Sequence, residues 1–413
     1  MKLTTSLQFA LPLLLFIFLC TCDRAESSTA EARKGLNDVE IPELLPRPEA
    51  LQNAMEWDRT QSGYMQLASD LRLKDPYAVE PRIQLAQIFT NEARVTGEHG
   101  HYYPAALKMV NEALELNKGK DMNLEFLGLS TKASVQLSQH EFQEALATAE
   151  RAISINPHNA QIYGALVDAH VELGNYDKAV EAADKMVSIR PDLRSYSRVS
   201  YLREIHGDID GAEEAMMSAV KAGAPGYEST AWARLTLGEL YQRYGEPEKA
   251  RAQYETILQE RPNYPFAIAA IGQLALDEGD YEEAEKYVQQ AADIIPEVGY
   301  YIQLAEIYKK TGREEEMKAI EDEIFEMLQD DVDSGHNMDL EYAHFYRDHF
   351  GDYDKALEYT EREYKKRPNN IDVNRMLAML YTDKGMSDKA AGYLSVAAST
   401  DSKHPELLAL SAR

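Results

Sequence analysis

The sequence predicts an all-α fold, a right-handed superhelical solenoid of about 8–9 antiparallel helix pairs. Turn glycines recur with spacings of 33 to 39 residues, at Gly174, Gly207, Gly245, Gly279, Gly312, Gly351 and Gly385. Prolines that would close a unit recur at a spacing of 34 residues, from Pro157 to Pro191 and from Pro262 to Pro296. Each unit holds two segments with apolar residues at helical spacing. One helix pair cannot bury its apolar face alone, so stacked neighbours must bury it.

The charge of the chain restricts its partners. Lys and Arg number 43 and Asp and Glu number 70, which gives a net charge of −27. A nucleic-acid surface needs clustered Lys and Arg for the phosphates, so the composition disfavours nucleic acid as a partner. Acidic surfaces favour basic or neutral partners. The alternative is that the acids only solvate exposed helix faces.

The N-terminal sequence has the pattern of an export signal. Residues 7–20 form an apolar run that follows the basic Lys2. This run is shorter than the roughly 20 residues of a membrane-spanning helix, and a polar region follows it, as in secretory signals. We therefore predict a signal peptide over residues 1–21. The only two cysteines, Cys20 and Cys22, lie at its end, so disulfides cannot stabilise the mature chain.

The end of this segment resembles a known processing motif. Leu19 to Cys22 reads LCTC and resembles the lipobox of bacterial lipoproteins, although Thr21 replaces the usual Gly, Ala or Ser. The resemblance implies a lipid on Cys22 and an exported protein in the cell envelope, facing the periplasm or the cell surface. A plain secretory signal and an uncleaved anchor are the alternatives. The polar residues 22–47 are predicted to form a flexible tether.

Residues 232–262 carry the most complete packing pattern. Its members are Leu237, Gly238, Tyr241, Ala250, Tyr254 and Pro262. They match the tetratricopeptide pattern, except that Arg234 occupies the position of its tryptophan. The chain therefore resembles a tetratricopeptide-repeat protein over residues 78–402, and together with the lipobox a bacterial tetratricopeptide lipoprotein. We expect an N-terminal capping helix over 48–77 and a C-terminal capping helix over 403–413, because end repeats need polar caps.

Three segments interrupt the period. Residues 95–104 are predicted to lengthen one turn within a repeat. Residues 219–230 are predicted to form a Gly/Pro loop, and residues 325–338 a long connection. The last two segments account for the two longest glycine spacings.

No motif for catalysis or for metal binding is present in the folded part of the sequence. The phosphate-binding G-x-x-x-x-G-K-[ST], the zinc-binding H-E-x-x-H and the nucleophile motif G-x-S-x-G are all missing. His99 and His101 lie close together, but a metal site would need further ligands on a rigid frame. We predict no catalytic residue, no metal site and no cofactor.

The resemblance implies that the first helix of each repeat lines a concave groove. The residues predicted on that surface are Asp168, Tyr201, Glu204, Trp232, Glu239, Arg243, Gln273, Glu306, Phe345 and Asp348. Exposed aromatic rings among charges suit recognition of an extended peptide or protein. The alternative is that Trp232 and Phe266 pack against the preceding repeat. Relatives that bind a C-terminal carboxylate hold it with Lys and Asn on adjacent first helices. None of the corresponding ninth positions here is Asn and several are acidic, so a carboxylate clamp is not expected and a basic or aromatic partner would fit better.

These observations favour a non-catalytic scaffold, tethered to the envelope through its N-terminal lipid, that binds a protein or extended peptide in the groove. An alternative is a surface lipoprotein that captures a small ligand or a glycan, although relatives of that kind carry a large non-repeat part. An enzyme would need an inserted domain, and no insertion exceeds about 15 residues on this repeat register. The sequence does not distinguish the inner from the outer membrane.

Overall fold

The computed structural model describes residues 39–412. Within that range it contains twenty α-helices, one 3₁₀ turn at Glu49–Leu51, one π-helix at Phe345–Phe350 and no strand. The α-helices in chain order are α1 (Ala54–Leu73), α2 (Glu80–Thr96), α3 (His99–Asn117), α4 (Met122–Ser138), α5 (Phe142–Ile155), α6 (Ala160–Glu172), α7 (Tyr176–Ile189), α8 (Leu193–Ile205), α9 (Ile209–Ala222), α10 (Glu228–Arg243), α11 (Pro247–Glu260), α12 (Pro265–Glu278), α13 (Tyr281–Ile294), α14 (Val298–Thr311), α15 (Glu314–Asp333), α16 (Asp339–His344), α17 (Tyr353–Lys366), α18 (Ile371–Asp383), α19 (Ser387–Ala397) and α20 (Pro405–Ser411).

Helices α2 to α19 form nine antiparallel pairs, each with a first and a second helix, and the predicted fold class is confirmed. Consecutive helices pack on one another along the whole array, so each pair buries its apolar face between its neighbours. Local sequence sets the helix starts. Asp192 and Asn370, for example, precede α8 and α18 and accept hydrogen bonds from the first free backbone N–H groups.

The close approach within a pair depends on small residues. A Cβ atom on Gly238 in α10 would lie 2.2 Å from a ring carbon of Tyr254 in α11. Tyr254 and Ala250 are fully buried in the same cluster. The glycine therefore lets the tyrosine ring lie directly against the backbone of the facing helix, which is the close packing typical of protein interiors.

The N-terminal segment packs on the first repeat. Ile41 joins the core beside α2 and α3, and the backbone N–H of Leu45 donates to the Tyr102 hydroxyl at 3.0 Å. The buried Arg47 forms two hydrogen bonds of 2.7 Å to Glu92. The expectation of a flexible tether is therefore wrong for residues 39–47. Residues 1–38, with the predicted signal peptide and Cys22, lie outside the described residues.

The flanking helices are shorter than the segments assigned to them. The 3₁₀ turn and α1 cover most of residues 48–77, and α20 lies within residues 403–413. Trp57 of α1 is 6% exposed, and the Arg47 guanidinium lies 5.2 Å above its ring. Among residues 39–412, no helix combines the length and apolar character needed to cross a membrane.

The interruptions of the period are partly helical. Residues 95–104 do not form a long turn, because α3 begins at His99 and includes Pro104 after the short turn Gly97–Glu98. The segment 325–338 is mostly the C-terminal part of α15, which has 20 residues where α13 has 14. The expected Gly/Pro loop is present between Ala222 and Glu228.

The solenoid contacts itself after one superhelical turn. Four turns inside early repeats meet four loops between late elements, roughly 200 residues further along the chain. The facing pairs, from one end to the other, are Gly97 with Glu297, Gln139 with Asn337, Gly174 with Asn369, and Gly207 with Asp401. We call this line of contacts the seam. It joins successive superhelical turns, so the inner faces of the first helices enclose a space that we call the lumen.

Candidate binding surface inside the superhelix

Helix phase places a set of polar and aromatic side chains on the lumen face of α10. Trp232, Glu239 and Arg243 are seven and eleven residues apart, so they lie on one side of the helix. The preceding first helix, α8, presents Tyr201 at the matching phase. Asp168 lies on α6, the first helix before that. These residues form one continuous strip across three repeats.

Side chains in the lumen are accessible to water but have protein groups on several sides. Tyr201 is 38% exposed, so water reaches its ring. Burial nevertheless raises the pKa of its hydroxyl well above the usual value, and the negative charges of Asp372 and Glu172 raise it further. Burial likewise raises the pKa of the Glu239 carboxyl, although water can reach this side chain as well. Charged groups in this space are therefore poorly solvated.

Three predicted residues on this strip, Asp168, Glu204 and Arg243, already have partners within the chain. Asp168 accepts hydrogen bonds of 2.8 Å and 2.5 Å from the Arg198 guanidinium. Glu204 forms a short ion pair with Arg243 and accepts a 3.3 Å hydrogen bond from the Tyr244 hydroxyl. Both arginines are already paired with carboxylates of the chain, so these four groups have little net charge to offer a ligand.

Three predicted residues remain without such partners. Trp232 is 43% exposed and joins no hydrophobic cluster of the described residues, whereas Phe266 packs on Tyr264 and Tyr300. The rings that contact Phe266 belong to its own repeat and to the following one, and Trp232 stays exposed, so these contacts do not show the predicted packing against the preceding repeat. The charge of Arg243 lowers the pKa of the Glu239 carboxyl and the charge of Glu204 raises it. Glu239 forms no hydrogen bond within residues 39–412. The Tyr201 hydroxyl is also unbonded within that range.

The four remaining predicted residues lie apart from this strip. Gln273 donates to Asp277 of its own helix at 2.9 Å, and Glu306 is exposed. Asp348 accepts from Arg347 at 2.5 Å and lies 3.4 Å from His344. Phe345 is 2% exposed and packs in the core, so its predicted place on the inner surface is wrong.

The ring contacts of Phe345 hold it in the core. Its ring meets Phe325 of α15 at 5.3 Å and stacks on His349 at 5.1 Å. Phe345 also begins the π-helix Phe345–Phe350, which follows α16 directly. A π-helix places more residues in each turn than an α-helix, so the α-helical register does not hold for the residues after Phe345.

The residues of the seam do not belong to the repeat pattern and were not predicted. The Arg367 guanidinium forms a short ion pair with Glu172 and lies 4.8 Å above the Phe142 ring. Asn370 donates to the Glu172 carbonyl at 3.0 Å, and Ile371 donates to the Tyr176 hydroxyl at 2.8 Å. A cavity of about 230 Å³ lies beside these contacts.

One signal for the seam was present in the sequence. His140 occupies the turn position that is glycine in seven later repeats, and its φ is 61°, in the left-handed region that non-glycine residues rarely adopt. Its ring nitrogen contacts the carbonyl of Asn337 at 3.0 Å across the seam. A strained residue at a turn indicates a contact that the local sequence does not explain.

A histidine and carboxylate group occupies the seam near α3. The His99 ring stacks on Tyr103 at 5.3 Å and lies 5.7 Å from the His336 ring and 4.0 Å from a Glu297 oxygen. Burial lowers the pKa of His99 to about 4, with repulsion from His336 and His140. Burial raises the pKa of Glu297 to about 7, and Asp331 contributes. Within the described residues, no three potential ligands converge as a metal site.

The fold and its packing residues define a class of protein. Family profiles described as tetratricopeptide repeat match residues 136–203, 235–297 and 298–320. The chain therefore carries tetratricopeptide repeats, a fold that serves protein–protein interaction in general.

Individual relatives are distant. The chain is 24% identical over 162 residues to cellulose synthase operon protein C of Pseudomonas fluorescens. This alignment covers 37% of this chain and 12% of that protein. It is 32% identical over 76 residues to a protein SGT1 homolog of Oryza sativa subsp. japonica, which covers 18% of this chain and 20% of that protein. The chain thus spans a small part of the relatives that it matches.

Solved structures resemble it at low identity. The APC/C hetero-tetramer Cut9-Hcn1 aligns with 94% of this chain and 63% of its own chain, at 13% identity and a TM-score of 0.47. TTC0263, a tetratricopeptide protein of Thermus thermophilus, aligns with 48% of this chain and 100% of its own, at 21% identity and a TM-score of 0.42.

Proposed function

We propose that the protein is a non-catalytic scaffold that binds a partner protein, or an extended peptide of it, on the lumen strip of α8 and α10. The repeats are an interaction fold, and the strip is the place where aromatic and charged groups remain without partners inside the chain. The supporting observation is Trp232, an indole that is 43% exposed and lies on the same helix face as Glu239, which forms no hydrogen bond within the described residues. Exposed tryptophans of this kind are frequent binding hot spots.

Site-specific photocrosslinking tests this proposal. A benzophenone amino acid at position 232 is expected to capture a defined partner in intact cells. The matched control carries the same group at Val180 on the second helix α7, which is 38% exposed and away from the strip. Capture at 232 and not at 180 supports the lumen as the binding surface. Equal capture at both positions, or at neither, contradicts it.

We further propose that the scaffold is exported and held in the cell envelope by a lipid on Cys22. The supporting features are the short apolar run after Lys2 and the lipobox-like LCTC at residues 19–22. A protein carried in this way would present its lumen to partners in the periplasm or at the cell surface. If position 232 captures a glycan and no protein, the alternative of a ligand-capture lipoprotein takes precedence.

A further inference from the structure

We propose that Tyr201, Trp232 and Glu239 form a subsite for one cationic side chain, a lysine or an arginine, of the partner. The inference rests on the proposed function, because it names the chemistry that the lumen strip would select. Within the described residues, these three exposed side chains form no ion pair and no side-chain hydrogen bond that would account for their position.

Most of the charged groups around the strip are already paired. Arg198 neutralises Asp168, and Arg243 neutralises Glu204. On the facing turn of the superhelix, Arg367 pairs with Glu172, and Arg375 pairs with Asp372 at 2.7 Å. Glu239 is the member of this neighbourhood without a counter-ion at contact distance. A bound cation would give Glu239 the counter-ion that it lacks.

Glu239 is accessible to a partner but lies among protein groups. It is exposed to water, and nearby protein nevertheless raises the pKa of its carboxyl, while the ion pair of Arg243 with Glu204 offers it little net attraction. A cationic partner group would offset this effect with a charge-assisted hydrogen bond.

The two aromatic rings fit the same occupant. Trp232 lies two helical turns before Glu239 on the same face, and Tyr201 lies at the matching phase of the adjacent helix α8. Both rings are exposed, at 43% and 38%. An ammonium or guanidinium head attracted to Glu239 would lie nearest to Tyr201, whose ring face attracts cations through its quadrupole, and the side chain would extend toward Trp232. The aliphatic stem of Lys or Arg can cover the apolar part of the rings.

Arg194 limits where the cation can sit. It lies on the face of α8 that also carries Tyr201, at the helix phase that Trp232 has in α10. Burial, and then repulsion from Arg198 and Arg94, lower the pKa of its guanidinium, so it has no strong anionic neighbour. A cation is therefore repelled from the Trp232 end and confined to the Glu239 end. This makes Arg194 a useful control residue.

Tryptophan fluorescence gives a direct probe. Trp57 and Trp232 are the only tryptophans, and Trp57 is buried, so collisional quenching reports chiefly on Trp232. We would titrate the full chain with the peptides acetyl-Gly-Gly-X-Gly-Gly-amide, where X is Lys, Arg, norleucine or Glu. Caesium and iodide at constant ionic strength, with acrylamide as a neutral quencher, would measure the sign of the local potential.

The Lys and Arg peptides are expected to bind about tenfold more tightly than the norleucine and Glu peptides. Glu239→Gln is expected to remove most of this preference and to lower the ratio of caesium to iodide quenching. Its acrylamide quenching and circular dichroism should match the wild type. Arg194→Ala is expected to keep or strengthen the preference. Equal binding of the four peptides, or an unchanged preference in Glu239→Gln, overturns the subsite.

The two proposals fail separately. If position 232 captures no partner while the Lys and Arg peptides bind through Glu239, the cation subsite stands and the scaffold function at this surface does not. If a partner is captured at 232 but the peptides show no dependence on X, the scaffold function stands and the cation subsite is wrong.

Discussion

Glu172 and Arg367 form an ion pair although 195 residues separate them in the chain. Arg367 also donates from its Nε atom to Glu363, which is 1% exposed and lies 2.5 Å away. Burial raises the pKa of Glu172 and Arg367 lowers it, so the pair is held in poorly solvated surroundings. One guanidinium therefore links α6 to the loop before α18 and closes the seam at its middle.

Removing this guanidinium should open the seam. Arg367→Ala leaves Glu172 without its cation and Glu363 with only Lys366, 3.4 Å away, and a buried ion pair that loses one partner costs about 3 kcal/mol. We expect a lower urea midpoint and a larger radius of gyration in solution scattering. The matched control is Lys384→Ala, since its partner Asp354 is 87% exposed. Exposed pairs contribute under about 1 kcal/mol. Equal effects of the two substitutions would show that the seam does not stabilise the fold.

Gly174 offers a test that does not involve charge. Its φ is +74°, and a Cβ atom there would lie 2.4 Å from the backbone of Asn369 across the seam. Gly245 has φ +83° and no atom within 4 Å of that position. Alanine at either site costs about 1 kcal/mol for the left-handed backbone.

Gly174→Ala should lose a further ~1–3 kcal/mol because the seam must separate. Hydrogen exchange should then rise in α18 as well as around residue 174. The interpretation fails if Gly245→Ala destabilises the chain as much, or if exchange changes only near the substituted turn.

The carboxyl of Glu297 should make stability depend on pH. Burial, with a contribution from Asp331, raises its pKa from 4.5 to about 7, so the fold favours the neutral form. Its stabilising contribution is complete below the unfolded pKa and is lost as the pH rises through about 7. The wild type should therefore lose about 2–3 kcal/mol relative to Glu297→Gln between about pH 5 and about pH 8.

Urea midpoints of both proteins across this range measure the difference. His99 has the opposite sign, since its pKa is lowered to about 4 and its contribution is lost as the pH falls through that value. His99 is present in both proteins, so their difference isolates Glu297. Parallel curves would mean that Glu297 is solvated as well in the folded protein as in the unfolded chain.

The envelope proposal has its own test. Cys22→Ala should release the protein from the membrane fraction and abolish labelling with a radioactive fatty acid, because a single acylated cysteine would be the anchor. Cys20→Ala is the matched control and should change neither result. Membrane retention of Cys22→Ala would favour an uncleaved apolar anchor, and release of the wild type itself would favour a plain secretory signal.

The periodic features of the fold were predictable from sequence, and the features that depend on accumulated geometry were not. Gly238 and Tyr254 lie on two helices that are joined by one short turn. The repeat pattern alone therefore predicts that they meet where α10 packs on α11. The contact of Glu172 with Arg367 depends on a small rotation added over several repeats, which no local pattern records. Phe345 was misplaced because its ring packs on Phe325 of α15, a contact that the repeat register does not record. The binding roles of Trp232 and Glu239 remain predictions.

The seam also changes how such a chain should fold. An ordinary helical solenoid has contacts only between neighbours, so it behaves as a one-dimensional array that can fray from either end. Here the early turns are bonded to loops roughly 200 residues later, and loops of that length must close before the contacts form. We therefore expect slower folding and a higher contact order than in an open array. The terminal repeats, which would otherwise be the weakest, are held in one cooperative unit with the beginning of the chain.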